Sequence, residues 1–99
     1  MQEEKEDGRK ITEKVLEERI RTGISEAGGE VNFCEVVDVS GCGCGLKFEV
    51  VIVSNIFVGK PLLAQHRTVH KLIEEERKDI HALTLKTMTP ASWEEMKTV

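Results

Sequence analysis

The chain contains no tyrosine, and its aromatic complement stops at Phe33, Phe48, Phe57 and Trp93. A core built from it must therefore consist mostly of Val, Ile and Leu. Positive charge is not in excess either: 14 Lys and Arg face 18 Asp and Glu, for a net charge of −4. That balance argues against broad, charge-driven binding to nucleic acid or to acidic membranes. No apolar run approaches the ~20 residues needed to span a bilayer. The first ten residues lack the apolar segment of a secretory signal and are too acidic for a typical transit peptide. Cysteine is sparse and odd in number, with Cys34, Cys42 and Cys44. The last two are too close to bridge each other without strain. A disulfide framework is thus disfavoured, and a reducing compartment, cytosol or nucleus, fits better. Catalytic signatures are missing as well. There is no G-x-S-x-G, no H-E-x-x-H and no P-loop, which reads as a protein without turnover chemistry.

What is present fits one small globular domain of 99 residues, 39% apolar and 32% charged. Residues 1–10 carry seven charged side chains and no large apolar residue after Met1, and read as a mobile arm ahead of a domain over residues 11–97. Ile11, Val15, Leu16 and Ile20 recur at helical spacing, and Thr12 is a natural N-cap, so a helix is expected over about Thr12 to Arg21. Gly23, Gly28 and Gly29 then read as its end and a turn. Val31, Phe33, Val37 and Val39 share one face of an extended segment. Lys47 to Val53 is a second strand with apolar residues on both faces, joined to the first by a glycine-rich loop as a hairpin.

Pro61 opens a second helix expected to reach about Arg77, with Leu62, His66, Val69 and Ile73 on one stripe. Ala82 to Met88 alternates as a third strand, with Leu83 and Leu85 inward. Thr89 and Pro90 form a cap and first turn for a last helix contacting the core through Trp93 and Met96. The order is α-β-β-α-β-α. The fold class is α+β, with a three-stranded sheet and the helices packed on one side of it.

Several residues are candidates for chemistry. His66 lies on the apolar stripe and reads as a partly buried histidine; His70 reads as surface. His81 sits at the junction of helix and strand. Cys34, in mid-strand opposite Phe33 and Val37, reads as a small buried hydrophobe. Cys42 and Cys44 lie among glycines in the loop Ser40–Phe48, where a thiol can be reached and can meet a soft metal or an iron–sulfur cluster. A closed zinc site needs four ligands, usually with paired spacing, and C-x-C plus one remote histidine falls short. If metal binds, a second molecule or solvent must complete the site. Lys60, Arg67 and Lys71 sit early in the second helix and Glu74, Glu75 and Glu76 near its end, against the usual macrodipole preference. Read for function, that places an electropositive helix start where an anion or an acidic partner could be received.

Taken together, the motifs resemble the BolA-like family over roughly Val31 to Trp93. Asp38, Ser40 and Gly41, then Cys44, Gly45 and Phe48, are similar to the family's D-x-S-G-x-C-G-x-x-[FY] loop. Ser54, Phe57, Gly59 and Lys60 resemble its S-x-x-F-x-G-K segment. Gln65-His66-Arg67 matches its Q-H-R signature, and Ile80-His81-Ala82-Leu83 its I-H-[AG]-L. The tail from Lys86 through Thr89, Pro90 and Trp93 is similar to the cytosolic and nuclear branch. The resemblance implies a class II KH-like fold with a mixed sheet. It also implies partnership with a monothiol glutaredoxin, the pair sharing a [2Fe–2S] cluster to which the glutaredoxin and glutathione supply the other ligands. Carried over residue by residue, it makes His81 the main ligand and Cys44 the loop ligand, with Cys42 as the alternative because this loop is one residue longer than the commonest one. Lys60, His66 and Arg67 would face the partner and its glutathione. The role implied is an adapter in iron–sulfur trafficking or iron regulation, in cytoplasm and nucleus, with no cofactor in the isolated chain and no membrane partner. The competing reading is a KH-like nucleic-acid-binding transcriptional regulator; no G-x-x-G binding loop occurs in the sequence.

Overall fold

The structure, a computed structural model, describes residues 11–41 and 45–97. The arm expected over residues 1–10 and the thiols Cys42 and Cys44 lie outside the described residues. The elements are α1 (Glu13–Glu26), β1 (Val31–Asp38), β2 (Leu46–Ser54), a 3-10 turn (Asn55–Phe57), α2 (Leu62–Leu72), α3 (Glu74–Arg77), β3 (Ile80–Met88) and α4 (Pro90–Lys97). The sheet runs β1-β2-β3. β1 and β2 are an antiparallel hairpin, and β3 joins β2 in parallel. A parallel neighbour requires the chain to travel back along the sheet, and α2 makes that return.

Thr12 caps α1 as expected, its Oγ1 accepting the Val15 N–H at 3.2 Å. The helix does not stop at Arg21, however, but continues through Gly23 to Glu26. The glycine is used for packing rather than for a break. A Cβ at Gly23 would lie 2.5 Å from Cδ2 of Leu72, so its absence lets α2 approach α1 closely. Leu16, Ile20 and Ile24 of α1 are fully buried, and with Cys34, Val36, Phe48, Val50, Ile52, Phe57, Val69 and Ile73 they form one core between the sheet and the α1–α2 pair.

In β1 the face bearing Phe33 and Val37 is the outer one, and Val37 and the following Val39 are exposed, while Cys34 and Val36 turn to the core. The register shift between Val31 and Phe33 sets Val31 opposite Ser54 and against the core, so Val31 does not share the face of Phe33 as expected. Phe33 pairs in register with Val53 and stacks on Trp93 with ring centroids 5.2 Å apart. Val53 is fully buried on this second face. The class is the α+β arrangement expected, but α4 therefore covers the sheet face opposite α1 and α2 instead of sharing their side. The reason is local. β3 ends at Met88, Thr89 Oγ1 accepts the Ser92 N–H at 3.2 Å to start α4 at once, and the half-buried Phe33–Trp93 pair stacks where the chain turns. The second helix also departs from expectation. It breaks at Ile73, which has φ −114°, so that Glu74–Arg77 is a separate turn of helix. Its buried stripe is Gln65, Val69 and Ile73, while Leu62 is 60% exposed.

Cys34 yields a pH prediction. Burial pushes its thiol up from 9.0 to about 11, with Arg21 pulling it down and Glu17 adding slightly to the rise. A raised value in the folded state means the unfolded chain releases this proton first. The stabilisation is complete below pH 9 and is lost as pH climbs towards 11. After discounting for partial solvation, the loss is about 1–2 kcal/mol. Urea titrations at pH 8 and pH 11 should show that loss for the wild type and a smaller one for Cys34→Ala. Equal pH slopes for the two proteins would remove the thiol as the cause.

Candidate functional site

The base of the loop that carries Cys42 and Cys44 is built from side chains. The Asp38 carboxylate accepts the Ser40 N–H at 2.9 Å, and Ser40 Oγ accepts the Lys47 N–H at 2.9 Å. The Val39 N–H donates to the Lys47 carbonyl at 2.8 Å, so the two ends of the loop are held together. The hydrogen bonds from Ser40 hold the Asp38 carboxyl below its ordinary value. Gly41 and Gly45 flank the loop with φ of 65° and 98°, the left-handed region that glycine enters without steric cost.

His81 is brought to this loop by the register of the parallel pair. Leu46 faces Ile80, but Lys47 faces Ala82, so His81 is the extra residue of a β-bulge. Bulges re-aim a side chain and commonly lie beside functional sites. Here Ile80 and Leu83 both pack against the core while His81 and Ala82 between them are exposed. Without the bulge, Ile80 and Leu83 would point to opposite faces. Gly45 is the immediate neighbour. A Cβ on it would lie 2.8 Å from Cβ of His81 and 3.2 Å from its Cγ. The missing side chain is thus the space the imidazole uses. Among the described residues no three His, Cys, Asp or Glu side chains cluster as a metal site, so His81 belongs to no complete ligand set there.

The other expected site residues, Lys60, His66 and Arg67, lie on separate parts of the structure. Lys60 follows the far end of β2, at the opposite end of the strand from Gly45. Its backbone is used structurally: the N–H donates to the Phe57 carbonyl at 3.1 Å, and the carbonyl accepts Gln65 Nε2 at 2.8 Å. His66 is half-buried and lines a cavity of about 300 Å³ with Leu62, Leu85, Thr87, Met88 and Met96. Its Nε2 is buried without a hydrogen-bond partner among the described residues. Arg67 is exposed and lines a different hollow with His70, Lys71, Glu74 and Arg77.

Sequence reasoning missed the role of Gln65. It is buried, and its amide bridges two elements, donating to the Lys60 carbonyl and accepting the Thr87 hydroxyl at 2.6 Å. The signal available was a polar residue at core spacing with Val69 and Ile73. Gln65→Leu leaves Thr87 Oγ1 without its acceptor in the interior and the Lys60 carbonyl without its side-chain donor. We expect a loss of about 2 kcal/mol, on the scale of an orphaned buried polar group, read from the urea midpoint at constant m-value. No shift in midpoint would mean that water replaces the bridge.

Comparison with known proteins agrees with this geometry. The family model for BolA-like protein matches residues 31–92, from the start of β1 into α4. The chain belongs to the BolA-like family. Protein BOLA2 of Arabidopsis thaliana is 55% identical over 60 residues, which cover 60% of this chain and 63% of that one. BolA-like protein 2 of Saccharomyces cerevisiae is 40% identical over 83 residues, covering 84% of this chain and 65% of that one. The matched stretch thus spans a little under two thirds of each of these relatives. A crystal structure of a Bol-like protein from Babesia bovis superposes with a TM-score of 0.78 at 40% identity, covering 88% of this chain and 94% of that one. The BolA-like match takes in the loop base, Gly45, the Gln65 bridge and the His81 bulge, and leaves α1 outside it.

Proposed function

We propose that this BolA-like protein is a non-enzymatic adapter. It pairs with a monothiol glutaredoxin to hold a shared [2Fe–2S] cluster, serving iron–sulfur trafficking or iron regulation in cytoplasm and nucleus. The observation that carries the reading is the exposed imidazole of His81, turned out by a bulge and seated against Gly45, the last residue of the loop that bears Cys42 and Cys44 in sequence. One imidazole and one loop thiolate are half of a four-ligand site, and both are donors that iron–sulfur clusters accept. Cys44 is the favoured loop ligand by its distance from Phe48, with Cys42 as the alternative. The cluster is cargo: the partner's cysteine and glutathione supply the rest, and the protein's part is to present its two donors and keep them open to solvent.

The test is to mix the purified chain with a monothiol glutaredoxin, ferrous iron, sulfide and glutathione under anaerobic conditions. The expected product is a coloured heterodimer, separable by gel filtration, whose visible spectrum differs from that of glutaredoxin alone. A mixture in which the chain elutes alone and the spectrum stays that of glutaredoxin would remove the reading. Salt-sensitive DNA binding by the chain would favour the nucleic-acid reading in its place.

A further inference from the structure

Three cations, Arg67, Lys71 and Arg77, line a hollow of about 360 Å³ beside α2 and α3, with His70 and Glu74 completing it. Arg67 and Lys71 stand four residues apart on one helix, where like charges repel. None of the three is ion-paired among the described residues. Two neighbouring carboxylates are engaged elsewhere, Glu76 with Arg19 of α1 at 3.2 Å and Glu75 with Lys78 at 3.4 Å, which leaves Glu74 to face the three cations of the hollow. Burial first, and then the neighbouring Arg77 and His66, hold the His70 imidazole below its ordinary value, so the positive charge of the hollow comes from Arg67, Lys71 and Arg77. The hollow is therefore a concentrated surplus of positive charge on a chain whose net charge is −4.

Topology places this surplus near the candidate site. Because β3 runs parallel to β2, α2 returns along the sheet and delivers α3 to the end where β3 begins. Arg77 precedes His81 by only four residues, so their Cα atoms lie within about 14 Å of each other.

We propose that the hollow is the docking point for a carboxylate-bearing surface of the protein partner that meets His81, with a cation of that partner seated on Glu74. The inference rests on the half-site reading and names the chemistry of its contact. Paired guanidinium groups match carboxylates in fork geometry, which favours arginine here. Glu74 inside the hollow repels a doubly charged phosphate more than a carboxylate, and it offers an acceptor that only a mixed-charge surface uses. A nucleic-acid strand extends past so small a patch onto the flanking glutamates. It also wants aromatic stacking platforms, and Phe33 and Trp93 are stacked on each other on the far face of the sheet.

Titration calorimetry of the full chain against a monothiol glutaredoxin at two salt concentrations tests this. Arg67→Gln/Arg77→Gln is compared with the charge-matched Lys14→Gln/Lys86→Gln. The substituted residues are exposed, and equal melting temperatures check that both variants fold. We expect the arginine variant to lose roughly tenfold or more in affinity at low salt and the control less than about twofold, with the gap closing at high salt. An arginine variant that binds like the wild type, or a control that loses as much, overturns the inference. A wild type that binds no glutaredoxin defeats the half-site reading instead. Docking is then decided on the chain alone by amide chemical-shift titration with a Glu-Lys-Glu repeat peptide. Shifts confined to residues 67–77 and absent from the arginine variant support it; their absence from the wild type overturns it.

Discussion

Phe48→Ala is expected to cost about 3–5 kcal/mol, out of a total that for a domain of this size is about 5–15 kcal/mol. The residue is 1% exposed and sits in mid-core, paired with Asp38 on one side and Leu83 on the other. With only four aromatic residues in the chain, and two of them on the outer face, there is little nearby bulk to fill the void. The same position lies two residues beyond Leu46, at the exit of the loop. The damage should therefore reach the Ser40–Lys47 clasp before it reaches α4, which is held by a separate aromatic pair. Urea unfolding gives the total. Hydrogen exchange at Ser40 and Lys47, compared with Trp93, gives the order of loss. A cost below about 1 kcal/mol would mean that the core collapses into the space left by the ring.

The regular elements were legible because their signals are local. The Thr12 cap, the Thr89-Pro90 start and the alternation through β2 each depend on neighbours within one turn or one pleat. What escaped depends on distant partners. Gly23 looks like a helix end when only its own propensity is weighed, yet Leu72, far along the chain, is what occupies the space above it. The Ile73 break is invisible for a similar reason: the periodicity of apolar residues continues across it, and only the return of the chain to β3 demands the change of direction. The second apolar face, with Phe33, Val53 and Trp93, could not be assigned a cover until the register was known.

The site was half legible. His81 stood out only through resemblance, since its position at a junction carries no chemistry of its own. Its geometry could still have been suspected from the spacing of Ile80, Leu83 and Leu85, which is three and then two. A strict alternation cannot place all three inward, so an extra residue must be accommodated, and His81 is that residue. The family resemblance groups Lys60 with His66 and Arg67 on the side facing the partner. The helix separates them: His66 lines one cavity, Arg67 another, and Lys60 stays at the far end of β2. Adjacent residues on a helix point about 100° apart, and that angle divides one motif between two cavities.

His81→Ala and Gly45→Ala should both impair the coloured heterocomplex, and their difference is informative. His81 is exposed, so its removal should change the stability of the chain by no more than about 0.5 kcal/mol. The predicted effect is on the cargo: the visible spectrum of the heterocomplex should shift or bleach while the chain remains folded. Gly45 carries no donor. An alanine there is held at φ 98° with its Cβ 2.8 Å from Cβ of His81, a strain on the scale of about 1–3 kcal/mol. The backbone or the histidine must move, and the donor is displaced rather than deleted. The expected pattern is therefore loss of colour with unchanged melting for His81→Ala, and weakened colour with lowered melting for Gly45→Ala. Gly41→Ala serves as the control. It shares a positive φ of 65°, and the nearest atom to its Cβ would be the Val39 carbonyl at 4.0 Å. It should lower melting without changing the spectrum. If Gly41→Ala alters the spectrum as much as Gly45→Ala, loop strain and not the His81 contact governs the site. If His81→Ala leaves the spectrum intact, the imidazole is not the donor, and the ligand assignment passes to the loop alone.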